Sequence, residues 1–479
     1  MRTAVVWMRN DLRLADNPAL FSAMQSHEAV APVVVWSPEE AGAWALGRAS
    51  RAWRARSLAA IAESIRAIGG TLTILSGPAA EALIGCALLI GADTVVWNRR
   101  YEPTLAAVDE NVKRRLESAG IAVRVLPGSL LVEPDALTTQ SGSPYKVFTP
   151  FYNAALRTGH DLPLPSPEHI LSPATLPSGI PLSALPSSPA DAPDIDRFWT
   201  PGERGAEATA ERFFSDIVDD YERSRERPDT DGTSRLSPHL AFGEISPRTL
   251  KSRADEIVRC NGECHVSEDA VAFTRQLYWR EFAYHLLHHY PHTPELPLRR
   301  GFDVFPWSRD PDCMDAWRSG ITGFPIVDAG MRQMLATGWM HNRVRMLVAS
   351  LLTKDLLLPW TDGSRWFWER LVDADLANNT FGWQWVAGSG ADAAPYFRIF
   401  NPVIQGERFD PEGAYVKRWV PELEAMPASW IHRPWSAPSG VLAAAGVRLG
   451  RTYPRPVVDH AAARLRALAV YGSIRDAER

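Results

Sequence analysis

The sequence is poor in the features that mark secreted, membrane and metal-binding proteins. It has 4 cysteines in 479 residues, too few for a disulfide scaffold and not spaced as two metal-binding pairs. No segment approaches the run of about 18 apolar residues that a membrane helix needs, and the N-terminus lacks the apolar core of a signal peptide. We therefore expect a cytoplasmic protein without a metal site. We also expect reduced thiols at Cys86, Cys260, Cys264 and Cys313.

The chain also lacks an excess of basic charge. Its formal net charge is −5 at pH 7, which argues against a protein whose whole surface binds nucleic acid. A local basic face stays open, because screening limits the reach of each charge to about 8 Å at physiological salt. The apolar content of 46% and charged content of 22% are typical of a globular protein.

Residues 1–128 alternate short β-branched runs with amphipathic segments. The candidate strands are Ala4–Met8, Val30–Trp36, Leu72–Leu75, Thr94–Trp97 and Val123–Leu126. The candidate helices are Asn17–Ser26, Ala49–Ile68, Ala79–Ile90 and Leu105–Ala119. This alternation predicts an α/β domain with a doubly wound parallel sheet. The first strand is not followed by GxGxxG, so we do not expect a dinucleotide there.

The composition changes after residue 128. Residues 161–201 contain ten prolines, which predicts an extended linker over 129–205. Helical patterns dominate 206–479, so we expect an all-α domain there. One helix is predicted near its start, with an apolar face made of Phe213, Phe214, Ile217, Val218 and Tyr221.

The segment Arg365–Asn401 combines acids, amides and tryptophans with little ordinary surface. Buried carboxylates need partners, and the upstream segment 338–346 contains His341, Arg343 and Arg345. A planar heterocycle held between arginine and carboxylate and bordered by tryptophans fits this set, and a flavin is such a group. For any one of these residues, a tryptophan-rich core with satisfied polar groups is the competing interpretation.

Several stretches resemble the DNA photolyase and cryptochrome family, in the family's order. They are DGTSRLSPHL (231–240), WREF (279–282), GWMHNRVRM (338–346), DADLANN (373–379) and GWQW with APYFRIFNP (382–402). The resemblance extends to VVWMRNDLRLADNPAL (5–20) and YKVFTPF (145–151), so it covers nearly the whole chain. Within the family, the motifs are most similar to cyclobutane pyrimidine dimer photolyases of the class III-like branch near plant cryptochromes. This implies a Rossmann-like antenna domain followed by an all-α FAD-binding domain.

The resemblance implies an FAD site. Its residues are Tyr221, Thr233, Ser234, Arg235, Leu236, Ser237, Trp279, Arg280, His341, Arg345, Asp373, Asp375 and Asn379. Arg345 and Asp373 resemble the ion pair beside the flavin ring, Asp375 would face the ring's pyrimidine edge, and Asn379 its N5. We also expect Thr233, Ser234 or Ser237 to cap the next helix, where backbone N–H groups suit a pyrophosphate.

The resemblance also implies a site for UV-damaged DNA and a path for electrons. The implied DNA-binding residues are Arg225, Gln276, Trp279, Asn342, Arg343 and Trp385. Gln276 and Asn342 would hydrogen-bond the lesion, and Met346 would form a polarizable wall. Trp383, Trp360 and Trp307 match the electron-hopping chain of the family, although ordinary core packing also accounts for tryptophans in a chain with 18 of them.

The implied activity is that of a deoxyribodipyrimidine photo-lyase acting as a monomer. One alternative is a cryptochrome-type photoreceptor. A (6-4) photolyase is less favoured, because those enzymes need two histidines where this chain has His341 and Asn342.

For the antenna chromophore, methenyltetrahydrofolate is expected over a deazaflavin. The candidate contacts are Glu39, Trp44, Arg48 and Trp53, and for each of them a structural role is the favoured interpretation.

Overall fold

The computed structural model describes residues 2–185, 192–260, 264–392 and 398–477. The side chains of 260, 264–267 and 475–477 lie outside the description. The chain divides into two compact units. The first contains Met1–Asp219, Ser234–Pro291 and Val372–Ala377, and the second contains Asp220–Thr233, His292–Leu371 and Asn378–Arg479. The boundaries at 128 and 205 remain predictions.

The first unit contains a five-stranded parallel sheet in the order β3-β2-β1-β4-β5. The strands are β1 Thr3–Trp7, β2 Ala29–Trp36, β3 Thr73–Ser76, β4 Thr94–Asn98 and β5 Ala122–Leu126. In the central register, Ala4 pairs with Val30 on one side and with Thr94 on the other. The predicted α/β fold class is confirmed, and the strand bounds agree with the sequence pattern to within about one residue.

The α-helices are numbered along the whole chain. They are α1 Pro18–Ser26, α2 Arg48–Ala67, α3 Ala79–Ile90, α4 Pro103–Ser118, α5 Phe148–Thr158, α6 Ile195–Phe198, α7 Glu203–Arg212, α8 Tyr221–Ser224, α9 Ser237–Ala241, α10 Pro247–Cys260, α11 Cys264–His289, α12 Pro311–Ser319, α13 Pro325–Thr337, α14 Asn342–Ser350, α15 Trp360–Arg370, α16 Leu376–Ala387, α17 Pro402–Phe409, α18 Ala414–Trp419, α19 Ala428–Ile431, α20 Ser439–Ala444 and α21 His460–Ala477. None of the described helices is both long and apolar enough to cross a membrane.

Both faces of the sheet are buried. Along β1, Ala4 and Val6 enter one apolar cluster, whereas Val5 and Trp7 enter the other. Helices on both faces of a parallel sheet produce this pattern, which is why its strands read as continuous apolar runs. The carboxyl ends of β1 and β4 therefore lie side by side where the strand order reverses.

The second unit is helical around α13, which is buried along most of its length. Asp328 on this helix accepts hydrogen bonds from the amides of Thr322 and Gly323, the Thr322 hydroxyl and the Tyr453 hydroxyl. Four donors compensate the cost of burying one carboxyl group. The network holds the loop before α13 and the segment around Tyr453 against the helix.

The single helix predicted through Phe213 and Tyr221 is wrong. After α7 the backbone widens into a π-helical turn at Phe213–Ile217 and then narrows into a 3-10 turn at Val218–Asp220. Phe213 and Val218 are buried as expected. The apolar positions are thus kept, while the extra residue of a π turn shifts the helical register between them.

Candidate functional site

Two acids of the first unit, Asp373 and Asp375, lie just before α16. Each accepts a hydrogen bond from a hydroxyl group. The Ser237 hydroxyl donates to Asp373 Oδ2 at 2.6 Å, and the Tyr284 hydroxyl donates to Asp375 Oδ2 at 2.5 Å. Burial, followed by the nearby Asp375 carboxylate, raises the pKa of Tyr284 well above its usual value. Tyr284 therefore stays a donor, and the two hydroxyl groups orient the carboxylates.

The capping prediction for the segment 233–237 is wrong. The residue that precedes α9 is Leu236, and no side chain caps the helix. Ser237 is the first helical residue, and its hydroxyl is used by Asp373 instead. Arg235 adopts a left-handed backbone with φ of 54°, and its guanidinium lies 5.6 Å from the Trp199 ring centre.

Helix α11 presents its predicted site residues on one face, because Gln276, Trp279 and Arg280 are spaced by three and four residues. Trp279 stacks on Phe148, with ring centres 3.5 Å apart and planes 7° from parallel. One face of this indole is therefore covered by protein. The Gln276 side-chain N–H donates to the Ala272 carbonyl at 3.3 Å, so the amide turns towards its own helix.

Arg280 is buried and bound to the protein around it. It donates to the Ser129 carbonyl at 2.9 Å and to the Glu281 carboxylate at 3.0 Å. Glu281 also accepts from the amides of Leu131 and Val132. Burial raises the pKa of Glu281 to about 7, against the opposing effect of Arg280. Arg280 thus anchors the loop at Ser129 in addition to any ligand contact.

Helix α14 of the second unit begins at the predicted lesion residues. His341 caps it, accepting from the Arg343 amide at 3.2 Å through Nδ1. Asn342 is exposed and Met346 half-buried, and their separation of four residues places them on one helix face. Arg345 donates to the Met340 carbonyl at 2.8 Å.

Asn379 is held by Ser364 in the second unit. Its side-chain N–H group donates to the Ser364 carbonyl at 3.0 Å and to the Ser364 hydroxyl at 2.9 Å. The amide is thereby oriented, and its carbonyl oxygen remains as an acceptor. Asn379 was expected to contact the flavin ring, and the residue that orients it was missed by sequence reasoning.

The three predicted electron-transfer tryptophans differ in exposure. Trp383 and Trp360 are buried, with 2% and 3% of their surface exposed, whereas Trp307 is half-buried. Trp383 packs against Phe367 at 5.0 Å between ring centres. This gradient in exposure suits electron entry at Trp307. Core packing produces the same gradient, so the electron-transfer roles of the three tryptophans stay predictions. Trp385 is half-buried.

An arginine cluster lies near α14 and α17 in the second unit. It consists of Arg225, Arg343, Arg398 and Arg408, and the predicted phosphate contacts Arg225 and Arg343 belong to it. Burial, followed by the charges of the other three arginines, lowers the pKa of Arg343 to about 10. Like charges held together in this way favour an anion.

A polar cavity of about 30 Å³ lies in the first unit at the ends of β1 and β4, lined by Arg9, Asn98, Arg100 and Arg280 among others. Open parallel sheets bind ligands at such a switch point. Arg9 and Arg100 both pair with Asp109, however, so these two guanidinium groups already have an acidic partner.

Arg54 on α2 has no acidic partner among the residues that the structure describes. Its Nε is shielded from solvent without a hydrogen bond, and its guanidinium lies 5.6 Å from the Trp36 ring centre. Burial, then the charge of Arg100, lowers its pKa to about 10.

Of the candidate antenna contacts, Glu39 is exposed, and Trp44 and Arg48 are half-buried. Trp53 is fully buried and donates its indole N–H to Glu244. Trp53 is therefore a core residue.

No group of three or more His, Cys, Asp and Glu is placed to bind a metal within the described ranges. Cys86 and Cys313 are free thiols. The side chains of Cys260 and Cys264 lie outside the described residues.

Comparison with known proteins matches two family models, DNA photolyase at residues 4–168 and the FAD-binding domain of DNA photolyase at 273–473. A deoxyribodipyrimidine photo-lyase of Agrobacterium fabrum is 47% identical, covering 98% of this chain and 98% of that protein. The chain belongs to the DNA photolyase and cryptochrome family. Within this family, Cryptochrome-2 of Arabidopsis thaliana is 38% identical over 96% of this chain and 77% of its own length.

Solved photolyases share the whole fold. A bacterial class III photolyase from Agrobacterium tumefaciens superposes with a TM-score of 0.93 at 46% identity, covering 99% of this chain and 98% of that one. An archaeal photolyase from Sulfolobus tokodaii with two FAD molecules gives 0.81 at 29% identity, covering 98% and 100%. The predicted family and the fold class are confirmed.

Proposed function

We propose that this photolyase-family protein is a deoxyribodipyrimidine photo-lyase that splits cyclobutane pyrimidine dimers in UV-damaged DNA under blue light. The observation that carries the proposal is on α14, where exposed Asn342 and half-buried Met346 share a face. An amide suits pyrimidine carbonyls, and a thioether suits the apolar rim of a flipped-out base. Arg343 lies between them in sequence and belongs to the arginine cluster, which suits the flanking phosphates.

The residues present fit FAD. Ser237 and Tyr284 donate to Asp373 and Asp375 and so orient two carboxylates, the kind of acceptor that ring N–H groups need. Asn379, oriented by Ser364, offers its carbonyl oxygen. The remaining predicted contacts, including the Arg345–Asp373 pair, are proposed on family similarity.

FAD bound at this site would supply light-driven electron transfer, which is the chemistry that opens the dimer. The chain's own residues bind, orient and exclude water. Arg225 and Arg343 neutralise backbone phosphates, Trp279 offers its indole for base stacking, and Gln276 and Asn342 supply hydrogen bonds. Flipping a base costs a few kcal/mol, and the cost is lowest where pairing is already damaged. This difference favours the lesion over intact DNA.

Repair of defined oligonucleotides tests the proposal. One duplex carries a cyclobutane dimer and another a (6-4) photoproduct, and both are illuminated with reductant in the absence of oxygen. We expect light-dependent repair of the dimer only. Repair of the (6-4) product alone would reassign the substrate. Failure on both with FAD bound would favour a cryptochrome-type photoreceptor, which the similarity to plant cryptochromes supports as the second candidate.

We further propose methenyltetrahydrofolate as the antenna chromophore, bound in the first unit near Arg54, Trp36 and Trp44. The unpaired guanidinium over an indole suits a planar ligand that carries carboxylates. Reconstitution with the folate should give energy transfer to FAD, and Arg54→Gln should weaken folate binding. Binding of a deazaflavin instead would contradict the assignment.

The protein is proposed to act as a cytoplasmic monomer. Sedimentation with and without a dimer-containing duplex tests the oligomeric state, and a stable homodimer in either condition would contradict it.

A further inference from the structure

Arg343 sits among like charges at the surface of the second unit. Its guanidinium lies 4.4 Å from the Phe409 ring centre, and that of Arg408 lies 5.0 Å from the same ring. The positive charges of Arg225 and Arg398 also lower the pKa of Arg343. Two guanidinium groups thus share the Phe409 ring, and two more lie near enough to repel Arg343, so the cluster favours a bound anion.

Glu226 supplies the negative charge that the cluster has. It forms an ion pair with Arg343, and its Oε1 lies 3.5 Å from Arg225 Nε. Across the described ranges, no other carboxylate pairs with any of the four arginines. The side chains of Arg343, Arg225 and Glu226 are 18%, 22% and 29% exposed, so a ligand from solvent can reach this pair.

We propose that Glu226 is a positioning residue that occupies the arginine pair in place of a DNA phosphate and must yield when the backbone binds. Carboxylate and phosphate use the same guanidinium donors. Glu226 therefore keeps the arginines ordered in the free protein and lowers the affinity for any DNA backbone. The inference rests on the proposed function, because it assumes that the cluster meets DNA.

This competition weakens binding to damaged and undamaged DNA alike. Undamaged duplex is held by phosphate contacts alone, so the loss to Glu226 leaves it weakly bound. A flipped dimer adds base contacts that do not involve the arginines. Removing the carboxylate should strengthen binding to undamaged duplex at least as much as binding to the dimer, so discrimination does not improve.

The test is dark binding of labelled duplexes, one undamaged and one with a single dimer, to the FAD-loaded protein and its Glu226→Gln variant. The amide keeps the shape of the side chain and removes its charge. We expect tighter binding to undamaged duplex and a salt dependence steeper by about 1 in logarithmic slope, as for one additional phosphate contact. The gain should then be about threefold larger near 50 mM than near 200 mM salt.

Glu424→Gln is the matched control, because it removes one negative charge from an exposed position of the same unit. It should leave both affinities and the slope unchanged. A second readout is the same binding measurement in an Arg343→Gln background. There, most of the gain in duplex affinity from Glu226→Gln should disappear. A purely structural Glu226 would not give that pattern.

Two outcomes would overturn the inference. Weaker binding by Glu226→Gln would mean that the carboxylate holds the arginines in their DNA-binding geometry. Unchanged binding and slope would mean that this pair does not meet phosphate. A wild-type chain that does not prefer the dimer would count against the proposed function instead, and the undamaged duplex would still decide the role of Glu226.

Discussion

Several side chains proposed to meet the lesion are already engaged with protein atoms. Gln276 donates to the Ala272 carbonyl, Trp279 stacks on Phe148, and Arg343 pairs with Glu226. Binding the substrate therefore exchanges contacts for some residues and adds contacts for others. In the proposed complex Trp279 would keep its stack on Phe148, whereas Gln276 would have to rotate.

Gln276→Glu should retain DNA affinity and raise the efficiency of dimer repair. A carboxyl group at this position can hydrogen-bond both bases of the dimer when it is protonated. A gain of about 0.5 kcal/mol in one hydrogen bond corresponds to roughly a twofold change in rate. The measurement is the repair quantum yield beside the dark affinity. If neither changes, the amide at 276 has no part in efficiency.

Trp307→Phe should block photoreduction of oxidised FAD by external donors, because phenylalanine is not oxidised at the potentials at which tryptophan is oxidised. Repair by protein whose FAD has been reduced chemically should survive. Trp385→Phe serves as the control, since it removes a half-buried indole outside the proposed electron path. Normal photoreduction in Trp307→Phe would remove this residue from the path.

The sequence predicts the acids, amides and tryptophans of the candidate site, but it does not predict the residues that orient them. Serine is a common residue, and Ser364 lies 15 positions before Asn379. Its contact with Asn379 is therefore evident only in the folded chain. Tyr284 could have been found, because it lies four residues after Arg280 on the same face of α11. The cap expected from Ser237 failed because the Asp373 carboxylate accepts that hydroxyl.

At the scale of elements, prediction succeeded where burial on both sides imposed a strong pattern. The strands of the sheet are β-branched runs, and their bounds follow from those runs. The turns Phe213–Ile217 and Leu351–Asp355 are π-helical, and a one-residue insertion into helical geometry leaves little trace in apolar periodicity. Packing around such a turn, rather than local propensity, decides where the extra residue goes.

Helices α15 and α16 meet at a glycine that fixes their separation. A Cβ added to Gly363 would lie 2.1 Å from Cη2 of Trp383 and 2.5 Å from Cδ2 of Leu352. Gly363→Ala should therefore destabilise the protein by about 1–3 kcal/mol through overpacking, as measured by denaturant unfolding. It should also slow FAD photoreduction, because the Trp383 ring must move.

Gly382→Ala on α16 is the control, because a Cβ there meets nothing within 4 Å. Alanine in a helix should leave stability unchanged or raise it by about 0.5–1 kcal/mol. Equal effects of the two substitutions would show that helix propensity, not contact with Trp383, accounts for Gly363.

At the scale of the whole molecule, Glu281 should contribute to the pH dependence of stability. Its pKa is raised from 4.5 to about 7 by burial, so folding takes up a proton between those values. Because the folded chain then binds more protons than the unfolded chain, the free energy of unfolding falls as pH rises through this window.

Glu281→Gln should remove that contribution. Between about pH 5 and pH 7 the wild type should lose on the order of 2 kcal/mol more than the variant, measured by denaturant unfolding at each pH. Parallel curves for the two proteins would show that Arg280 keeps Glu281 ionised throughout.

The position of β1 at the centre of the sheet has a consequence for gene models and expression. β1 is the strand shared by β2 and β4, and it is encoded by the codons immediately before Met8. A product whose translation started at Met8 would therefore lose the middle of its sheet rather than an edge, leaving β3-β2 and β4-β5 as two separate pairs. A start site shifted by seven codons would change less than two per cent of the open reading frame and remove the fold of its first unit.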